Sequence, residues 1–165
     1  MAVVTLGGNL VNTIGSLPIN GTKAIDFQLV TNDLKTVGLS DYAGSKLVLN
    51  IYPSVDTSTC ATSTRKFNET ASTLKNTKVL CISRDLPFAF KRFCGAEGLT
   101  DVITLSDFKA GQFGKDYGLE MVDGKFAGLH SRVVIVLDEN GIIKYSEQVL
   151  DISNEPNYEA ALAAL

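Results

Sequence analysis

The sequence predicts an α/β fold: a central mixed sheet flanked by helices, preceded by a small hairpin, in one domain spanning residues 1–165. Three observations carry this. Two apolar, β-branched runs, Lys46 to Tyr52 and Lys78 to Ser83, are each followed by a stretch with helical spacing. A third run, Arg132 to Leu137, is joined by Asp138-Glu139-Asn140-Gly141 to Ile142 through Glu147, the clearest hairpin in the chain. Glycine-punctuated short strands at the amino end supply the added hairpin.

Taken in order, Val3 to Leu6 and Leu10-Val11 flank Gly7-Gly8-Asn9, where consecutive glycines supply the positive φ of a tight turn. Phe27 to Val30 and Lys35 to Leu39 flank a turn at Asn32-Asp33 and lead into a short helical start at Ser40-Asp41-Tyr42. Lys46 to Tyr52 shows little alternation, as a strand buried on both faces should. Pro53 ends it, and Thr57 or Ser58 caps a helix reaching about Leu74, with Phe67, Ala71 and Leu74 on one face. After Lys78 to Ser83, Leu86-Pro87 opens a second helix that should stop at Cys94, with Gly95 as its cap. Thr104 to Ser106 reads as a short strand and Gln112 to Tyr117 as a short helix. Tyr158 to Leu165, capped by Asn157 or Asn154, closes the chain. This order is compatible with a thioredoxin-like topology, and pattern alone leaves other α/β arrangements open.

The balance of 15 basic against 18 acidic residues, a net charge of -3, offers no footprint for nucleic acid or an anionic membrane. No apolar stretch approaches the roughly 20 residues that cross a bilayer, and MAVVTLGGNLVNTIG lacks the basic start of a secretion signal. Cys60, Cys81 and Cys94 form an odd set in a chain large enough not to need staples, so free thiols in a reducing compartment, the cytoplasm, are expected. With His130 as the only histidine, no ligand spacing for structural zinc exists, and His130 is expected at the polar surface. The sequons at Asn20 and Asn68 carry no weight without a secretion signal.

Cys60 has a chemical address. It falls in the first turn of a helix beyond the carboxyl end of a buried strand, where open α/β sheets place their crevices. Unpaired N–H groups and the helix dipole there favour a thiolate. They are insufficient alone: bringing a thiol from about 8.5 to about 6 takes roughly 3.4 kcal/mol, and a helix end supplies at best about 2. A cation must help. The polar neighbours Asp56, Thr57, Ser58, Thr59, Thr62, Ser63 and Thr64 weigh against simple core packing. Cys81, between Val79-Leu80 and Ile82, reads instead as a desolvated structural thiol. Cys94 reads equally as a buried residue at a helix end or as a second redox thiol. Joining it to Cys60 would cross roughly 10 Å of depth, whereas bridged Cα atoms lie within about 7 Å, so local unwinding would be required.

Pro53-Ser-Val-Asp-Thr57-Ser-Thr-Cys60 resembles the Pro-x-x-x-Thr-x-x-Cys motif of the peroxiredoxins. Ala61 to Glu69, Ser83-Arg-Asp85-Leu-Pro87-Phe-Ala89, Arg92-Phe-Cys94-Gly-Ala-Glu-Gly98 and the leading hairpin are similar to the thiol peroxidase branch, over almost the whole chain. The resemblance implies a thioredoxin-like fold and an atypical two-cysteine peroxidase. In it Cys60 would be peroxidatic and Cys94 resolving, Thr57 would bond thiolate and peroxide, and Pro53 would shield the thiolate. Arg132, on pattern alone a surface charge at a strand end, would be the missing cation. It further implies hydrogen peroxide or an organic hydroperoxide as substrate, thioredoxin as reductant, a homodimer, and no metal, flavin or nucleotide cofactor. Two other readings stay open: a thiol-disulfide oxidoreductase, from Cys60-Ala-Thr-Ser63 as a Cys-x-x-Ser variant, and a non-enzymatic binding domain.

Overall fold

The computed structural model describes residues 1–165. Nine strands form: β1 (Val3–Leu6), β2 (Asn9–Asn12), β3 (Leu29–Thr31), β4 (Thr36–Val37), β5 (Lys46–Ile51), β6 (Thr77–Ser83), β7 (Val102–Ser106), β8 (Val133–Leu137) and β9 (Ile143–Gln148). Four α-helices join them: α1 (Ser58–Ala71), α2 (Pro87–Glu97), α3 (Gln112–Asp116) and α4 (Tyr158–Ala163). A 3₁₀ turn spans Leu39–Tyr42. The main sheet runs β4-β3-β7-β6-β5-β8-β9, and β1 with β2 makes a separate two-stranded sheet. β5, β6 and β7 are parallel, linked through α1 and α2, while β8 and β3 lie antiparallel on either side.

The central strands are largely apolar because both their faces are covered, with Asn50 of β5 and Ser83 of β6 among the buried polar exceptions. Leu47, Leu49 and Ile51 of β5 pack with Leu80, Ile82, Ile135 and Leu137 against Phe27, Phe113 and Tyr117. The alternate residues Val48 and Tyr52 pack with Val79, Cys81, Val134 and Val136 under Cys60 and Phe67 of α1, Phe90 and Phe93 of α2, and Ala161 of α4. The β1–β2 hairpin adds a small cluster of Val4, Val11, Met121 and Ile152. No helix is long and apolar enough to cross a membrane.

Several boundaries differ from expectation, among them β3, which starts at Leu29 rather than Phe27, and α4, which ends at Ala163 rather than Leu165. α1 stops at Ala71, where Thr73 and Leu74 tighten onto the carbonyls of Thr70 and Ala71, and the Thr73 hydroxyl also bonds Thr70 O. α2 continues past Gly95 to Glu97, and its left-handed cap is Gly98, at φ 66°, whose N–H bonds Cys94 O. β7 begins at Val102, two residues ahead of the expected Thr104, because its pairing with β6 starts at Val79↔Val102. At the carboxyl end, Asn157 rather than Asn154 caps α4, accepting from the N–H of Ala160 at 3.0 Å.

Candidate active site

The chain leaves β5 through the buried pair Tyr52-Pro53 and crosses a short loop to α1, whose third residue is Cys60. Asp85, just beyond β6, fixes that loop: Oδ1 accepts from the Ser54 hydroxyl and Oδ2 from the Val55 N–H, each at 2.7 Å, while the Ser83 hydroxyl also donates to Oδ2. Sequence reasoning gave Asp85 no role. Two of its partners, Ser54 and Val55, lie 31 and 30 residues away.

Thr57 sits at the helix N-cap with extended backbone, φ -89° and ψ 146°, yet its hydroxyl caps nothing. Oγ1 lies 2.6 Å from Cys60 Sγ and 3.0 Å from Ser54 O. One proton serves two acceptors, and a thiolate is the stronger claimant. The second donor to the sulfur is Arg132, with Nη2 at 3.3 Å, while its Nε donates to Ile152 O at 2.9 Å.

Arg132 is not the surface charge that its strand-end position suggested: it is only 2% exposed. The register explains why. β8 runs antiparallel beside β5 with Val133 opposite Ile51, so the residue just ahead of β8 lands where β5 hands over to the Cys60 loop. The guanidinium makes no ion pair with a carboxylate, and its Nη1 has no partner. Burying an uncompensated cation costs several kcal/mol. Cys60 Sγ, of a residue 0% exposed, is the one side-chain atom that the guanidinium bonds.

Beneath the sulfur a polar network pins the first turn of α1. The Cys60 carbonyl accepts from Ser63 Oγ at 3.0 Å and Thr64 Oγ1 at 2.9 Å. Thr64 Oγ1 also bonds the Tyr52 hydroxyl at 3.0 Å, and Asn50 Nδ2 donates to Ser63 Oγ at 3.2 Å. Ser63 therefore points at the backbone and makes no bond to the sulfur, unlike the second position of a Cys-x-x-Ser pair. Cys81 lies in the same region, 3.7 Å from Asn50 Nδ2, with burial pushing its thiol up to about 12.

Cys94 stands apart from these residues. It sits inside α2, half-buried against the cluster that holds Cys60 and Cys81, and burial raises its thiol above the ordinary range while the Thr104 hydroxyl opposes that shift. All three cysteines are unbridged. The structure thus joins Cys60, Thr57 and Arg132, leaves Cys94 unbonded to any of these, and places Pro53 as a buried residue of the loop between β5 and α1.

His130 also departs from expectation: it is fully buried, with Nε2 3.0 Å from Asp107 Oδ2. That carboxylate also accepts from the N–H groups of Phe113 and Gly114. Glycine is needed at 114, since a Cβ would sit 2.8 Å from the imidazole. The pair ties α3 to the segment carrying Arg132. Nothing near His130 in the sequence signalled it.

The Redoxin family profile matches residues 19–162. A thiol peroxidase of Corynebacterium glutamicum is 52% identical over 165 residues, covering 100% of this chain and 99% of that protein. One from Mycobacterium bovis is 50% identical over the same span. The crystal structure of a peroxiredoxin-like protein from Aquifex aeolicus superposes with a TM-score of 0.92 at 34% identity, over 99% of this chain and 96% of that one.

Proposed function

Because the chain belongs to the Redoxin family and is a peroxiredoxin-type thiol peroxidase, we propose that Cys60 is its peroxidatic residue and Cys94 its resolving one. The observation that carries the Cys60 assignment is the buried guanidinium of Arg132, with one nitrogen on Cys60 Sγ and another, Nη1, unpartnered. The first stabilises the thiolate. The second is a donor free to meet a substrate oxygen beside it.

The thiolate attacks the terminal oxygen of a hydroperoxide in line with the O–O bond. That bond breaks, sulfur is oxidised to the sulfenic acid, and an alkoxide or hydroxide leaves and takes a proton from solvent to become alcohol or water. Arg132 and the Thr57 hydroxyl stabilise charge growing on the oxygens, donors fixed before the reaction begins. Pro53 keeps water from the sulfur. The Cys94 thiolate then attacks the sulfenic sulfur, hydroxide departs as water, and an S–S bond closes after local unwinding. Thioredoxin, an external dithiol, returns both sulfurs to thiols by exchange. The working unit is a cytoplasmic homodimer, for which Leu86 and Phe88, 51% and 64% exposed at the start of α2, supply an apolar contact face.

Rapid mixing of reduced protein with one equivalent of hydroperoxide tests the reading. Wild type should consume the peroxide and gain one intramolecular bridge. Cys60→Ser should abolish consumption, and Cys94→Ser should stop at a sulfenic acid that a dimedone probe captures. Undiminished consumption by Cys60→Ser would refute it.

A further inference from the structure

Gly95 is a helix residue without a steric reason to be glycine. It lies in the last turn of α2, beside Cys94, and does not take a positive φ. A Cβ built on it meets nothing within 4 Å. The conformational need is met three residues later by Gly98, with φ 66°. Glycine inside a helix weakens it relative to alanine because the unfolded chain has more freedom to lose.

The rest of that turn is also lightly held. Phe93 is the last buried residue of α2, Cys94 is half-buried, and Gly95, Ala96 and Glu97 are exposed. The one ion pair there, Arg65 Nε to Glu97 Oε2 at 2.8 Å, is 42% and 34% exposed at its side chains, and such pairs contribute little. Segments with few buried contacts and solvent-exposed backbone bonds open first.

We propose that Gly95 is a built-in weak point that lets the last turn of α2 unwind and so sets how fast Cys94 reaches an oxidised Cys60. This rests on the reading of Cys94 as the resolving thiol. The step it gates is balanced: the Cys94 thiolate attacks Cys60 S–OH, the S–O bond breaks, and hydroxide leaves as water. Opening competes with a second peroxide, which would carry the sulfenic acid on to sulfinic acid.

The test is Gly95→Ala, which fits the open space and leaves Cys60, Thr57 and Arg132 untouched. Stopped-flow mixing with peroxide, quenched and read by mass spectrometry, separates the steps. Peroxide consumption should keep the wild-type rate, while bridge formation should slow about fivefold, the factor for about 1 kcal/mol of helix propensity. The sulfinic fraction at high peroxide should rise, and amide exchange across residues 94–99 should slow. Bridge formation at or above the wild-type rate in Gly95→Ala would overturn the inference while leaving the Cys60–Cys94 reading intact. A wild-type protein that forms no such bridge would overturn that reading instead.

Discussion

The two helix ends that bear Cys60 and Cys94 are built in opposite ways. The first turn of α1 is anchored from inside: Cys60, Ser63 and Thr64 are fully buried, and two hydroxyls hold the Cys60 carbonyl. The last turn of α2 rests on a half-buried Cys94, an unhindered glycine and an exposed ion pair. The contrast matches two chemical demands. Attack on peroxide needs fixed geometry and a stabilised anion, whereas delivery of a second sulfur needs mobility. One end supplies preorganisation and the other a low cost of opening.

The sharpest way to break this contrast is Arg132→Met, which keeps volume and removes the charge. Peroxide consumption should fall roughly 10²–10³-fold, as when a fixed donor is removed. A variant keeping the wild-type rate would detach Arg132 from the anchored end. Thr64→Val probes the network below. It leaves the buried Tyr52 hydroxyl without its partner, so chemical denaturation should show a loss of about 1–3 kcal/mol, together with looser exchange at the start of α1. No change in either would mean that this turn is held by apolar packing alone.

The smallest effect concerns Cys81. Its thiol is raised to about 12 in the folded chain against an ordinary value of 9.0, so folding holds its proton in between. The contribution is fully present below about 9 and is lost as pH climbs toward 12, since the unfolded chain then binds fewer protons. Cys81→Ala should turn over peroxide normally and show a shallower decline in stability between pH 9 and 11. Equal slopes would place Cys81 outside the packed interior.

Much of this was legible because it is local. Strands β5, β6 and β8 announce themselves as mostly apolar runs with little alternation, and Cys60 is marked by strand, proline, polar loop and helix within a dozen residues. What escaped depends on partners distant in sequence. Arg132 reads as a surface charge until the antiparallel register of β8 and β5 carries it inward. His130 reads as a surface residue because its buried partner Asp107 lies 23 residues earlier. Asp85 looks like a loop acid until Ser54 and Val55 are seen to bond it. Gly95 reads as a cap because cap and interior glycines look alike in sequence, and only φ separates it from the true cap, Gly98.

The distance of 72 residues between Cys60 and Arg132 also has a bearing on biosynthesis. Translation at about 5–20 residues per second leaves several seconds between the two. During that interval Cys60 has no Arg132 beside it, because the register that brings the two together forms only when β8 docks along β5. On the proposed reading of Cys60, an unfinished copy lacks the cation that completes its site.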